Sequence, residues 1–178
     1  YDSISNLKYS PDWKSFAFKA EKDWQSIIVK DGKESKKYDF IDDIKYSPDW
    51  KSFAFWAEKE WLFIIVKDEV EIDKYDYTEN LIYSPDWKSF AFIAEKDRKY
   101  LIVKDDKESN GYDSVSKLKY SSDWKSFSYE VYKDWRYIII KDGVELNKYD
   151  SVYNWTYSPD WKSFAFTAEK DGKYIIVK

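Results

Sequence analysis

The chain has 178 residues, 21% of them aromatic, with ten Trp and seventeen Tyr, a composition that suits pleated, packed surfaces better than helices. Thirty basic and thirty-four acidic residues leave a formal charge of -4; nearly all the positive charge is Lys, with Arg98 and Arg136 the two guanidinium groups, so neither a nucleic-acid footprint nor a phosphate clamp is indicated. His and Cys are absent, which removes Ser-His and Cys-His nucleophiles, disulfides and the usual zinc and copper ligands, and no apolar run approaches the roughly 18 residues that span a bilayer.

The dipeptide Tyr-Asp opens the chain at Tyr1 and returns at Tyr38, Tyr75, Tyr112 and Tyr149, a constant step of 37 residues. Self-similarity of this kind marks a repeat architecture. The copies run 1–37, 38–74, 75–111, 112–148 and 149–178 and are read together as one domain, 1–178.

Within the first copy, Leu7 and Tyr9 alternate as on a strand, and Ser10-Pro11-Asp12-Trp13 then puts Pro and Asp where a type I turn wants them. Phe16 and Phe18 alternate with Ala17 on a second strand. After the polar Glu21-Lys22-Asp23, the run Ile27-Ile28-Val29 reads as a third strand, apolar on both faces. Asp31-Gly32 opens another turn, and Tyr38-Asp39-Phe40-Ile41 is expected to add a short fourth strand. Each copy is thus a four-stranded antiparallel meander.

Such a unit has apolar residues on both faces and must stack against others like it, in an open solenoid or a closed ring. An open stack needs polar capping repeats, yet the first and last copies keep the apolar pattern of the middle ones. The expectation is an all-β, five-bladed ring, with Tyr1 to Ile4 pairing beside Tyr174 to Lys178 to close it and cover free strand edges.

The stretch Tyr-Ser-Pro-Asp-Trp-Lys-Ser-Phe-Ala-Phe resembles the Ser-Pro-Asp-Gly-Lys core of TolB-like propeller repeats, relatives of WD-type repeats. The resemblance runs through all five copies. The fourth departs from it at Ser122 and at Ser128-Tyr129, and all five place Trp where the family usually has Gly. It implies a five-bladed β-propeller, expected as a monomer and, from the resemblance alone, in a bacterial periplasm or outside the cell. Because the family's roles are diverse, it implies no ligand.

A four-stranded meander has two rims. One carries the first and third turns, with Asp-Trp-Lys-Ser repeated at Trp13, Trp50, Trp87, Trp124 and Trp161. The other carries the second turn and the connection between copies, and there the copies diverge. Its second-strand end holds Lys19, Trp56, Ile93, Glu130 and Thr167, and its second turn Trp24, Trp61, Arg98, Trp135 and Gly172. Its connections carry Ser3, Phe40, Tyr77, Ser114 and Ser151, with Tyr153 two residues after the last.

This varied rim, rich in the side chains that anchor interfaces, is read as the binding surface for a protein or peptide: Trp24, Trp61, Trp135, Trp56, Arg98, Phe40, Tyr77 and Tyr153. The alternative is a carbohydrate-binding ring using the constant Trp residues as stacking platforms, set against the plainer reading that each indole packs over its own blade. A third alternative is an engineered or recently amplified repeat without an evolved ligand. The Asp of each Tyr-Asp pair is expected to accept backbone N–H groups rather than to ligate a cation.

Catalysis by paired carboxylates needs one acid and one base in contrasting surroundings. Glu21, Glu58, Glu95 and Glu169 instead recur in equivalent positions, with Tyr132 breaking the series. Only four glycines are present and they form no phosphate loop. The expectation is a scaffold without catalysis, cofactor or metal.

Overall fold

The computed structural model describes residues 1–10, 12–47, 52–86, 88–160 and 163–178. Among the described residues all regular structure is β, and the chain groups into two compact units, Tyr1–Thr78 and Glu79–Lys178.

The first unit holds two four-stranded antiparallel sheets, each a meander in chain order. The first sheet is β1 (Ser3–Tyr9), β2 (Phe16–Lys22), β3 (Gln25–Lys30) and β4 (Lys33–Glu34). The second is β5 (Phe40–Tyr46), β6 (Phe53–Lys59), β7 (Leu62–Lys67) and β8 (Val70–Tyr75).

The second unit repeats the plan. Its sheets are β9 (Tyr77–Tyr83, whose first two residues lie in the first unit), β10 (Phe90–Lys96), β11 (Lys99–Lys104) and β12 (Lys107–Glu108), then β13 (Ser114–Tyr120), β14 (Phe127–Lys133), β15 (Arg136–Lys141) and β16 (Val144–Tyr149). In the last sheet the first lane is split into β17 (Ser151–Val152) and β18 (Thr156–Tyr157), both paired with β19 (Phe164–Lys170), whose other side carries β20 (Lys173–Val177).

The fourth strand differs from the expectation. Phe40 and Ile41 do not close the first sheet; they pair with Glu58 and Ala57 and open the second. Ser3 and Ile4 likewise pair with Glu21 and Ala20 inside the first sheet, so they supply no fourth strand elsewhere. The fourth strands come from the polar connections instead, because Asp31 and Gly32, at φ 50° and 83°, make a two-residue reversal that returns the chain at once beside β3. Of the expected segment Tyr38 pairs with the preceding sheet through its backbone, exchanging hydrogen bonds with Ser26 at 2.8 and 3.0 Å, as Tyr112 does with Tyr100.

One residue sets the length of these strands. Where Ser35 and Ser109 stand, their hydroxyls accept the ladder hydrogen bonds of Ile28 and Ile102 at 2.9 and 3.0 Å, and the strand stops after two residues. Where the same position is Ile72 or Leu146, pairing continues for six. A hydroxyl that bonds to backbone competes with the ladder, whereas an aliphatic side chain does not.

Consecutive sheets pack face to face within each unit. In the first, Tyr38, Ile41, Ile44, Phe53 and Phe55 of the second sheet bury against Ala17 and Ile28 of the first. In the second unit Val115, Phe127 and Tyr129 lie on Ala91, Ile93 and Ile102, and Val152, Phe164 and Phe166 on Ile139. Aromatics from one face interlock with small and branched residues from the next, which is how a layer with two apolar faces is hidden.

Carboxylates pin both rims. Asp31 accepts from the Ser15 hydroxyl at 2.6 Å and the Phe16 N–H at 2.8 Å, tying the third turn to the first. Asp68 and Asp105 repeat this clasp with Ser52 and Ser89. At the opposite end the Asp of the Tyr-Asp pair holds the second turn. Asp2, Asp39 and Asp150 accept the N–H groups of Asp23, Glu60 and Asp171 at 3.1, 2.8 and 2.6 Å. Among the described residues no group of three or more acidic side chains is arranged to hold a metal ion.

Candidate binding surface

The second turn of every copy is a two-residue reversal with both residues left-handed. Asp23 and Trp24 have φ 56° and 66°, Glu60 and Trp61 56° and 67°, Asp97 and Arg98 53° and 61°, Asp134 and Trp135 52° and 62°, and Asp171 and Gly172 53° and 70°. A turn of this hand matches the twist of the strands it joins and favours Gly at its second residue. The last copy obeys that preference; the other four hold a large side chain in the same conformation. Trp24, Trp61 and Trp135 are 98%, 88% and 85% exposed, so no burial offsets a left-handed backbone that costs roughly 1–2 kcal/mol at an L-residue. Arg98 is exposed too.

Beside these tips the first unit carries an aromatic row that crosses its second sheet. The Lys19 ammonium lies 4.4 Å over the Phe40 ring. Phe40 meets Trp56 edge-on at 5.7 Å, Trp56 stacks on Phe63 at 5.0 Å, and Phe63 meets Tyr77 edge-on at 5.6 Å. The structure thus brings Phe40, Trp56 and Tyr77 together, with Phe40 and Tyr77 exposed at the two ends of the row.

Trp56 itself is half-buried rather than open on the rim. At the equivalent position Ile93 is fully buried, and Glu130 is buried while taking the Lys117 ammonium at 2.8 Å. Variation at this position is therefore accommodated by packing. Phe63 was missed by the sequence reading because it begins an apolar run that reads as core. The signal available was the change from Ser26 to Phe63 at one repeat position.

In the second unit, Tyr153 lies 6.0 Å from Tyr174 and donates to Glu169 at 3.3 Å. The hydrogen bond with Tyr153, and then the Glu169 charge, raise the Tyr174 hydroxyl above its ordinary pKa. The nearby Arg136 forms an ion pair with Asp150.

On the constant rim Trp13 and Trp124 also take left-handed backbone, φ 59° and 52°; Trp50, Trp87 and Trp161 lie outside the described residues. The turn keeps the geometry that Gly would favour, with the Trp13 and Trp124 N–H groups donating to Ser10 and Ser121 carbonyls at 2.9 Å. Both indoles are exposed, although Trp13 leans on Tyr9 at 5.6 Å. Trp124 borders a cleft of about 330 Å³ between two sheets, lined also by Asp86, Lys104, Tyr120 and Asp142.

No protein-family model matches the sequence. No curated protein matches it. Among solved structures, TolB from Acinetobacter baumannii is similar at 17% identity and TM-score 0.48, over 98% of this chain and 51% of that one. The putative TolB from Agrobacterium tumefaciens is similar at 16% identity and TM-score 0.47, over 95% of this chain and 71% of that one. The β-propeller domain of the Trilobed protease from Pyrococcus furiosus is similar at 15% and 0.48, over 97% and 65%. The chain spans about half the length of the Acinetobacter TolB that it matches. In structure, this chain is similar to TolB and other β-propeller proteins.

Proposed function

We propose that this protein is a non-catalytic binding scaffold that presents its varied rim to a protein or peptide. The observation that carries the reading is the conformation of Trp24, Trp61 and Trp135: three nearly bare indoles held in a backbone region that disfavours them, where Gly172 shows that Gly serves the turn. Strain kept without compensating burial points to a use outside the fold. Trp, Trp, Arg and Trp at four of the five tips are the residue types that dominate interface energetics.

The carboxylates support the absence of catalysis. Asp12, Asp86 and Asp123 are held below their ordinary pKa by the hydroxyls of Ser10, Ser84 and Ser121, and Asp113 by the Lys99 ammonium. A general acid working near neutrality needs the opposite shift.

In this reading the sheets are five blades of a single domain that closes into a ring. The face of Tyr1, Ile4 and Leu7 is exposed, Ile4 by 59%, whereas the equivalent Tyr38, Ile41 and Ile44 are buried on Ala17 and Ile28. Ile176 is 75% exposed, whereas its equivalents Ile28, Ile65, Ile102 and Ile139 are buried. By the repeat rule the closed ring is the arrangement in which each of these faces would find the kind of partner its equivalents have.

The test is selection of random displayed peptides on the protein, followed by titration of the enriched sequences against the triple variant Trp24→Gly, Trp61→Gly, Trp135→Gly. One-to-one binding weakened at least about a hundredfold is expected from three anchors worth more than 1 kcal/mol each. Equal affinity for the folded triple variant would refute the reading.

A second reading, carbohydrate binding on the constant rim, is favoured by the cleft beside Trp124, which joins an exposed indole to acidic and basic side chains. It predicts several equivalent sites per chain on glycan titration and no dependence on the varied tips.

A further inference from the structure

The sequence holds five asparagines, Asn6, Asn80, Asn110, Asn147 and Asn154, and all five are exposed. The residue that follows and the local backbone set one of them apart. Asn6, Asn80 and Asn147 lie inside β1, β9 and β16 and precede Leu7, Leu81 and Lys148. Asn154 sits between β17 and β18 but precedes the buried Trp155. Asn110 stands before a glycine, Gly111, in the connection between β12 and β13.

That connection is tied at both ends and free in the middle. The Ser109 N–H donates to the Ile102 carbonyl at 2.8 Å, and the Ser109 hydroxyl accepts from the Ile102 N–H at 3.0 Å. On the other side Tyr112 exchanges its two backbone hydrogen bonds with Tyr100. Between these ties the Asn110 carbonyl takes the Ser109 hydroxyl at 2.8 Å. Among the described residues the Asn110 side-chain amide and the Gly111 N–H make no hydrogen bond.

The first copy has the same span, tied through Ser35 and Tyr38, but fills it with Lys36 and Lys37, which pair with Glu71 and Asp23 at 3.3 and 3.1 Å. In the third copy a Cβ at residue 111 would lie 2.9 Å from the Lys99 Cβ, closer than carbon atoms pack. The Lys99 stem takes that room and its ammonium rests on Asp113 at 2.5 Å. Packing therefore selects glycine at 111. A glycine has no side chain to shield its own nitrogen or restrict its backbone, so the same packing leaves the preceding asparagine open to attack.

We propose that Asn110 is a site of spontaneous modification driven by its own backbone. The Gly111 nitrogen attacks Asn110 Cγ, the N–Cγ bond forms, the Cγ–Nδ2 bond breaks, and ammonia leaves carrying the Gly111 proton. Water then opens the resulting succinimide. Cleavage of the N–Cγ bond gives aspartate, and cleavage of the bond to the main-chain carbonyl carbon gives isoaspartate, whose backbone runs through Cβ and Cγ. Either product adds one negative charge to the formal -4, on the varied rim next to the Lys99 stem, and the only co-reactant is water.

The experiment is incubation of the folded 178-residue protein at mildly alkaline pH, followed by tryptic digestion and mass spectrometry of the peptide 108–117. That peptide should gain the mass of an amide-to-acid conversion at least about tenfold faster than the peptides carrying the other four asparagines. It should elute as two products, one matching the same peptide from Asn110→Asp and one distinct from it. Asn110→Gln should keep the β circular-dichroism signal and lose the conversion. The rate in the folded protein should lie within about threefold of the rate in urea, because no hydrogen bond has to break first. Asn110 held intact in the folded protein while the urea-unfolded chain converts, equal rates at all five asparagines, or a single product matching Asn110→Asp would each overturn the proposal. The readout involves no rim ligand, so it stands or falls separately from the binding reading.

Discussion

Replacing Trp24, Trp61 and Trp135 by Gly should make the protein more stable. Each residue sits at φ 62° to 67°, where an L-side chain costs roughly 1–2 kcal/mol and Gly costs none of that, against about 0.5–1 kcal/mol of extra backbone entropy that Gly loses on folding. The indoles are 85–98% exposed, so their removal forfeits almost no burial. The balance is a gain of about 0.5–1 kcal/mol per site. The three tips lie in three different sheets with no shared partner, so the gains should add to about 2 kcal/mol. With a urea slope of about 2 kcal/mol/M, the midpoint should rise by about 1 M at unchanged slope. A fall in the midpoint would show that the indoles carry packing energy, and would remove the ground for reading them as binding groups.

Alkaline stability follows from buried phenols. Burial pushes Tyr46 and Tyr120 up to about 12, against about 10 in an unfolded chain. A folded-state pKa raised above the unfolded one gives stability that is complete below pH ~10 and lost as pH rises through ~12. Tyrosinate absorbance should therefore appear in two phases, the second coinciding with loss of the β circular-dichroism signal; a single phase near 10 with the fold intact would contradict the burial. Ring closure has its own test. Ile4→Ala and Ile176→Ala should each cost about 2 kcal/mol or more if the two faces bury one another, and under about 0.5 kcal/mol in urea unfolding if both face water.

The period, the meander and the two apolar faces were legible in the sequence because all three rest on spacing: Tyr-Asp every 37 residues, Phe16 and Phe18 alternating, Ile27 to Val29 continuous. The fourth strand was not. Its identity turns on whether a polar connection reverses tightly enough to return to β3, which Asp31 and Gly32 achieve, and then on a single choice between Ser35 or Ser109 and Ile72 or Leu146. The aromatic row was half legible. Phe40, Trp56 and Tyr77 stand out as departures from their copies, whereas Phe63 lies in an apolar run and Trp56 is half-buried where the rim reading has it open. Backbone hand was the least legible property, since no propensity places Trp at positive φ.

That last point separates the two rims physically. The Trp of the constant rim recurs with its flanking sequence in every copy, left-handed at Trp13 and Trp124, as expected of either a structural plug or a set of equal pockets. The second turns share one backbone geometry but not one residue: Gly172 adopts it without a Cβ, while Trp24, Trp61, Arg98 and Trp135 adopt it with the largest side chains available. The backbone geometry is therefore common and the strain is not. A requirement of the fold would act on all five tips alike, because Asp2, Asp39 and Asp150 hold their turns by the same hydrogen bond whichever residue follows. We read unequal strain on equal turns as the mark of one asymmetric contact surface, which is why the proposed function is placed on the varied rim and not on the constant one.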